Sequence, residues 1–204
     1  KNLLYLHFTM DDNLSLSEKI KERYRSMYRG VFYKRYILGL WVMAEGVIYD
    51  MFDKEKHVIS SLAGLTGVNY YVSCDYGTQN PTAFLLWCKD NTGKWVCCRE
   101  YYYSGRDEER QKTDSEYADD LEKWLAGIKP VKIVADPSAA SLIAELKKSG
   151  YNVKKAKNDV LDGIRYVASL LSLGKIAIYE GCTNTIKEFA SYMWDAKAAE
   201  HGED

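Results

Sequence analysis

The residues Tyr70–Thr78 read Tyr-Tyr-Val-Ser-Cys-Asp-Tyr-Gly-Thr, an apolar strand that ends on the carboxylate of Asp75. A second strand, Val131–Ala135, ends in the same way on Asp136. A carboxylate at the end of a buried strand is held rigidly and still reaches the edge of the sheet. If the two strands are neighbours, the carboxylates meet and repel each other unless a cation lies between them. The pair therefore predicts a divalent-metal site.

The composition is that of an ordinary globular chain. Its 204 residues are 47% hydrophobic and 28% charged, enough for one domain with a substantial core, or for one domain plus an appendage. The net charge is -1, so any contact with nucleic acid has to come from local basic patches. The five cysteines form no C-x-x-C pair, which argues for reduced thiols in a cytoplasmic protein and against disulfides or structural zinc. No apolar run reaches the roughly 18 residues of a membrane span.

From residue 68 onward, the predicted order is three strands followed by alternating helices and strands. The three strands are Val68–Cys74, Ala83–Cys88 and Trp95–Tyr103, and the turn Asp90–Gly93 joins the last two into a hairpin. The later elements are the helix Ser115–Ala126, the strand Val131–Ala135, the helix Ser138–Lys148, the strand Tyr151–Lys155, a helix from Asn158 or Asp159 to Gly174, the strand Lys175–Tyr179 and the helix Thr183–Ala199.

This order predicts an α/β fold with a ribonuclease H-like mixed sheet, in which three antiparallel strands precede βαβα crossovers and helices flank the sheet. In that arrangement the first and fourth strands are neighbours, which brings Asp75 and Asp136 together. Residues 1 to about 60 differ from the rest. They predict one helix through Ile20 and Tyr24, capped by Ser15 or Ser17, in a segment too small to hold a core alone.

Two neighbouring carboxylates suit the hydrolysis of a phosphodiester. That reaction needs an activated water and neutralisation of charge at the phosphate, and two Mg²⁺ or Mn²⁺ ions about 3.5–4 Å apart supply both. Both ions prefer oxygen ligands, so we expect Asp75 to bridge them and Asp136 to hold one. A third acidic group or histidine normally completes such a site. Asp162 is the best internal substitute, although its place in the first turn of a helix also suits a carboxylate that stabilises the helix end.

Each aspartate of the pair also has a purely structural interpretation. Asp75 before Tyr76 and Gly77 suits an Asx turn, and Asp136 before Pro137 and Ser138 suits a helix N-cap. The matching strand ends favour the metal site over two unrelated turn residues.

The densest basic region follows the second aspartate. A duplex that passes the carboxylates needs phosphate contacts, and a solvated polar face is the alternative interpretation of the same charges. The predicted DNA-binding residues are Lys154, Lys155, Lys157 and Arg165.

Three parts of the sequence carry a family resemblance. Tyr71–Phe84 is similar to the start of the nuclease domain of large terminase subunits from tailed bacteriophages and prophages, and Val134–Ala139 is similar to its second acidic motif. An early segment with Phe8–Asn13, Tyr33–Val42 and Glu45–Gly46 resembles the stretch that joins the family's ATPase motor to its nuclease. The resemblance spans nearly the whole chain.

The resemblance implies a metal-dependent endonuclease that cleaves double-stranded, concatemeric viral DNA during genome packaging, with little sequence specificity. It implies a linker at residues 1–60 that follows a missing ATPase motor, and a nuclease domain at residues 61–204. The expected partners are double-stranded DNA, the small terminase subunit and the portal protein, in the host cytoplasm and without a membrane. The chain has no G-x-x-x-x-G-K-[ST] loop, so we expect no ATPase activity.

The family's third acidic position has no match in the sequence. We therefore expect the nuclease domain to be truncated at its C-terminus, just before that motif. The acidic residues and the histidine near the end that do not form its pattern are Asp195, His201, Glu203 and Asp204.

Two other functions stay open at this point. Asp75–Thr78 fits the phosphate-binding Asp-x-Gly-Thr turn of actin-like and sugar-kinase phosphotransferases, which need two such domains around one nucleotide. The fold is also compatible with a non-catalytic module that docks DNA or a portal.

Overall fold

A computed structural model describes residues 4, 6–28, 30–40, 46–65, 68–77 and 80–194, the side chain of Val31 excepted. Contacts group the chain into two compact units. Unit 1 comprises residues 1–57, 159–175 and 187–204, and unit 2 comprises residues 58–158 and 176–186. The division into domains at residues 1–60 and 61–204 stays a prediction, since the contact grouping also assigns a late helix to unit 1.

Within its described residues, unit 2 is built on one mixed sheet of seven strands. In chain order the strands are β1 Val58–Ile59, β2 Tyr70–Asp75, β3 Thr82–Lys89, β4 Trp95–Tyr103, β5 Lys132–Ala135, β6 Val153–Lys155 and β7 Ile176–Tyr179.

The pairing of these strands confirms the predicted fold class. Across the sheet the order is β1-β7-β4-β3-β2-β5-β6. Strands β2, β3 and β4 form an antiparallel meander, whereas β5 pairs in parallel with β2, β6 with β5, and β7 with β4 and β1. The predicted adjacency of the first and fourth strands of the series is the pairing of β2 with β5. Strand β1 was not predicted, because two residues carry no periodicity.

The helices predicted at Ser115–Ala126, Ser138–Lys148 and from Asn158 or Asp159 to Gly174 are confirmed to within two residues. The helix predicted for Thr183–Ala199 ends at Ser191, and the short helices near residues 30–37 and 54–57 were not predicted. None of these described helices is long and apolar enough to cross a membrane. They are α1 Glu18–Met27, α2 Gly30–Phe32, which continues as a π-helical turn Tyr33–Ile37, α3 Lys54–His57, α4 Asp114–Leu125, α5 Ala140–Lys148, α6 Val160–Ser172 and α7 Thr183–Ser191.

The two faces of the sheet have different neighbours. Helices α4 and α5 cover one of them, which we call the core face, with Leu121 and Leu142 fully buried against Phe84 and Ile133 of the sheet. Because side chains alternate along a strand, the intervening residues point to the other face, which we call the carboxylate face because Asp75 lies on it.

All five cysteines are free and buried in unit 2. Cys88 and Cys98 face each other across β3 and β4, with 3.3 Å between their sulfur atoms. Burial raises the pKa of the Cys98 thiol to about 12, so the thiol stays protonated and unreactive.

Helix α6 belongs to unit 1 because its inner side packs on the N-terminal segment. The Ser169 hydroxyl donates a hydrogen bond to the Met27 carbonyl over 3.2 Å, and the guanidinium of Arg165 lies 5.2 Å from the centre of the Tyr36 ring. The buried His57 places its Nε2 atom 2.9 Å from the Leu171 carbonyl oxygen. The predicted helix, with Asp159 as its N-cap, is therefore confirmed.

Glu100 on β4 fixes the beginning of α7 within unit 2. One of its carboxylate oxygens accepts hydrogen bonds from the backbone and side-chain amides of Asn184, at 3.0 and 2.8 Å. The other accepts from the backbone amide and hydroxyl of Thr185, both at 2.6 Å. A carboxylate satisfies the free amides of a helix N-terminus and also complements the helix dipole.

We expect Glu100→Gln to lower the free energy of unfolding by about 1–3 kcal/mol, because charge-assisted hydrogen bonds are lost and amides are left without full partners. Urea denaturation followed by circular dichroism measures the change. The matched control is Glu122→Gln at an exposed position of α4, where a change within about 0.5 kcal/mol is expected. Equal losses in the two variants would contradict the assignment.

Candidate metal centre

Asp75 is the last residue of β2 and is held from both sides. Its neighbours Val72 and Cys74 are buried on the core face, while Asp75 itself is exposed. The backbone pairs with Ala83 of β3 on one side, and on the other Cys74 pairs with Ala135 of β5. The strand end is thus fixed, and the carboxylate still reaches solvent.

Asp136 follows β5 directly and lies beside Asp75. The register Cys74 to Ala135 makes Asp75 and Asp136 the next residues of two parallel strands spaced about 4.8 Å apart. Alternation turns both side chains to the carboxylate face, since Cys74 and Ala135 are buried on the core face. The predicted meeting of the two carboxylates therefore agrees with the strand register.

Asp136 forms an Asx-type turn and is not the N-cap of the following helix. Its Oδ1 atom accepts a hydrogen bond of 2.7 Å from the backbone amide of Ser138, and α5 begins only after its N-cap, Ala139. The alternative interpretation of Asp136 as a helix N-cap was therefore wrong. The hydrogen bond holds the carboxylate in place and leaves its other oxygen outside this turn.

The two carboxyl groups have opposite pKa shifts. Although the Asp75 carboxylate reaches solvent, the neighbouring protein displaces part of its water, which raises its pKa, and the negative charge of Asp136 raises it further. Hydrogen bonds from Ser138 and Asn158 lower the pKa of Asp136. Asp136 is therefore the readily ionised member, and Asp75 is the member whose ionisation an added cation would favour.

The turn after Asp75 depends on a glycine and a buried threonine. A Cβ atom on Gly77 would lie 2.1 Å from the carbonyl oxygen of Asn80, so only glycine allows this approach. The hydroxyl of Thr82, which is fully buried, lies 3.3 Å from the Gly77 amide and 3.2 Å from its carbonyl oxygen. These two contacts of the Thr82 hydroxyl stabilise the turn that follows Asp75. Thr78, part of the predicted turn, lies outside the described residues.

Tyr76 connects the end of β2 to the first turn of α4. Its hydroxyl donates a 2.8 Å hydrogen bond to the Asp114 carboxylate, and its ring meets Tyr117 edge-on at 5.8 Å. No motif in the sequence marks Asp114 or Thr82 as part of this arrangement. The spacing between residues 76 and 114 gives no sign of the contact, because it depends on how α4 crosses the sheet.

The third predicted ligand, Asp162, lies in unit 1. Its carboxylate pairs with Arg165 one turn later at 2.8 Å, which fits the helix-end role. Among the described residues, no three His, Cys, Asp or Glu side chains cluster as metal ligands. The other acidic candidates lie outside the described residues, as does the single histidine among them: Asp195, His201, Glu203 and Asp204.

The predicted basic residues divide between the two units. Lys154 and Lys155 on β6 are exposed and lie beside the end of β5, where they pair with Val134 and Ala135. Lys157 follows them and is exposed as well. Arg165 lies in unit 1, in contact with Asp162 and the Tyr36 ring.

The donor set fits a hard divalent cation. Two carboxylates at adjacent strand ends supply oxygen ligands, and neither forms an ion pair with a cationic side chain among the described residues. Oxygen-only donors are those that Mg²⁺ and Mn²⁺ prefer.

The chain is similar to phage large terminases over its whole length, although no protein-family model matches it. It is 26% identical to the large terminase subunit of Escherichia phage T5 over 98% of this chain and 46% of that protein. With the solved structure of a large terminase from a thermophilic bacteriophage it shares 58% identity and a TM-score of 0.92, over 100% of this chain and 50% of that one. The chain thus spans about half the length of these relatives.

Solved terminase nuclease domains share the fold at much lower identity. The P22 large terminase nuclease domain matches with a TM-score of 0.60 and 14% identity, over 79% of this chain and 90% of that one. The large terminase nuclease from the thermophilic phage G20c, in a structure with bound zinc, matches with a TM-score of 0.53 and 15% identity, over 70% and 86%. The chain is therefore a homologue of phage large terminase subunits, with the ribonuclease H-like α/β fold of terminase nuclease domains.

Proposed function

We propose that the chain is a divalent-metal-dependent endonuclease that cuts double-stranded viral DNA during genome packaging, with little sequence preference. The observation that carries the proposal is the parallel pairing of β2 with β5, which makes Asp75 and Asp136 neighbours at one edge of the sheet. The bound zinc of the G20c nuclease supports a divalent metal in this fold. Mg²⁺ or Mn²⁺, as two ions, is our proposal for this chain.

In this proposal the two aspartates have different roles as metal ligands. Asp75 would bridge two ions and Asp136 would hold one of them. Bound divalent ions lower the pKa of a coordinated water and neutralise charge on the phosphate. The chain's own contribution is to hold the carboxylates rigidly, through the ladder of β2 and the Ser138 amide, and to keep Asp136 ionised.

The remaining parts of the proposal follow from the relatives. The small terminase subunit and the portal are the proposed partners, and the host cytoplasm is the proposed location. We expect no ATP hydrolysis from this chain, since its sequence has no P-loop. The terminase relatives favour the nuclease over a sugar-kinase-like phosphotransferase, and a non-catalytic docking module is an outcome that the following experiment distinguishes.

The test is the nicking of supercoiled plasmid in Mg²⁺ or Mn²⁺. Asp75→Asn and Asp136→Asn should each lower the rate by more than the roughly 10–100-fold that losing an outer-shell partner costs, because each removes a metal ligand. Asp162→Asn is the matched control and should leave cleavage largely intact, since its carboxylate pairs with Arg165.

Three outcomes would contradict parts of this assignment. Nicking that persists with a chelator and in Asp75→Asn would identify a contaminating nuclease. Losses in Asp162→Asn as large as in Asp75→Asn would make Asp162 a metal ligand. A chain that binds duplex DNA but never cuts it at high Mn²⁺ would be a docking module.

The opposite pKa shifts of the aspartates predict opposite effects on stability in metal-free buffer. The raised pKa of Asp75 means that its ionisation opposes folding above that pKa, so Asp75→Asn should raise the urea midpoint at neutral pH. This gain should shrink as the pH falls and the wild-type carboxyl becomes protonated. The lowered pKa of Asp136 means that its stabilisation is present above the ordinary carboxyl pKa and lost in acid. Asp136→Asn should therefore lower the midpoint at neutral pH.

Urea titrations in a chelator across the acidic to neutral range measure both effects. Added Mn²⁺ should then raise the midpoint of the wild type more than that of either variant, because binding to the folded state alone stabilises it. Destabilisation by both substitutions at neutral pH would show that repulsion at Asp75 is unimportant.

A further inference from the structure

The pleat of the sheet separates two neighbouring lysines of β6. Lys154 pairs with Val134 and Lys155 pairs with Ala135 in a parallel ladder, and paired residues of a ladder lie on the same face. Ala135 is buried on the core face, so Lys155 lies on that side. Lys154 lies on the carboxylate face with Asp136. Both are exposed, so the face is the main difference between them.

The row of paired residues through Asp75 leads, on the side away from β5, to an exposed aromatic residue, whereas Lys154 lies two residues before that row, level with Ser73 and Val134. Asp75 pairs with Ala83 of β3, and Ala83 pairs with Tyr102 of β4. Ala83 carries only a methyl group, and Tyr102 is 42% exposed. At about 4.8 Å per strand, β4 and β6 each lie about 10 Å from β2. Tyr102 thus lies in the row of Asp75, and Lys154 lies on the opposite side of the two carboxylates, on the same face and two residues before their row.

On the side of the core face, negative charge lies near the same strand ends as Asp75. The loop after β4 folds toward α4, because the Tyr103 hydroxyl donates a 2.6 Å hydrogen bond to the Arg110 carbonyl and the Tyr103 ring contacts Tyr117 at 5.9 Å. Its tip exposes three acidic residues, and within the described part of the chain none of them forms an ion pair. They are Asp107, Glu108 and Glu109.

We propose that the phosphate backbone of the DNA lies along the carboxylate face, with Lys154 and Tyr102 as its contacts on the two sides of the metal centre. The inference rests on the proposed nuclease function. Lys154 supplies a cation and Tyr102 a hydroxyl, two groups that commonly contact phosphate. Lys155 lies on the core face, away from the carboxylates. The acidic loop lies on that side too, and it repels a phosphate that comes within the roughly 8 Å Debye length of the loop.

The experiment compares Lys154→Ala with Lys155→Ala in binding to a short fluorescent duplex, in a chelator and over a series of salt concentrations. Loss of one phosphate contact changes the slope of log affinity against log salt by about 0.9. We expect that change in Lys154→Ala and little change in Lys155→Ala. Equal changes, or a larger one in Lys155→Ala, would overturn the inference.

A cleavage assay in Mn²⁺ gives a second readout. Lys154→Ala should raise the DNA concentration for half-maximal rate and leave the maximal rate and the Mn²⁺ requirement unchanged. Tyr102→Phe should act in the same direction with a smaller effect. Glu108→Gln with Glu109→Gln should leave DNA affinity unchanged. A gain as large as the loss in Lys154→Ala would put the duplex beside the acidic loop and overturn the inference.

The two proposals fail in distinguishable ways. A wild-type chain that neither binds nor cuts duplex DNA contradicts the nuclease function, and the proposed DNA path with it. A chain that cuts DNA in a manner dependent on Asp75, but with identical behaviour of the two lysine variants, contradicts the DNA path alone.

Discussion

The parallel ladder between β2 and β5 is the constraint on which the candidate site depends. Its register aligns Cys74 with Ala135, and the two aspartates follow as the next residues. A slip of one residue would turn one side chain to the core face, because the side-chain period of a strand is two. The buried residues on the core face prevent that slip, since Val72 and Ile133 have to remain against α4 and α5. Hydrophobic packing on one face therefore fixes the chemistry of the other.

At this site, hydrogen bonds fix the backbone around two carboxylates that repel each other. Partial loss of hydration opposes the ionisation of Asp75, and repulsion from Asp136 adds to that cost. Around them, Thr82 closes the turn at Gly77, and Tyr76 joins the strand end to α4. Such a scaffold keeps two like charges together when no cation is present, at a cost in stability that a bound cation would offset.

The sequence was sufficient for the strands and for the adjacency of the aspartates, and insufficient where contacts bridge distant segments. Trp95–Tyr103 was predicted with its observed limits because its strand residues are bounded by a turn and a polar loop. The two residues of β1 have no period, and they form a strand only through pairing with β7. Likewise, the bond of Tyr76 to Asp114 and the opposite faces of Lys154 and Lys155 require a register that single-residue propensities do not contain. The third metal ligand was found neither in the sequence nor among the described residues.

The order of segments in the two units bears on how the protein can be dissected. The chain passes between the units four times, near residues 57, 158, 175 and 186. No single peptide-bond cleavage can therefore release either unit intact. Removing residues 1–60 would strip α6 of the Met27 carbonyl and the Tyr36 ring, and would also delete β1 from the edge of the sheet. A chain shortened at residue 60 would also expose apolar surface of α6, because Ile164 packs with Phe32 and Ile48.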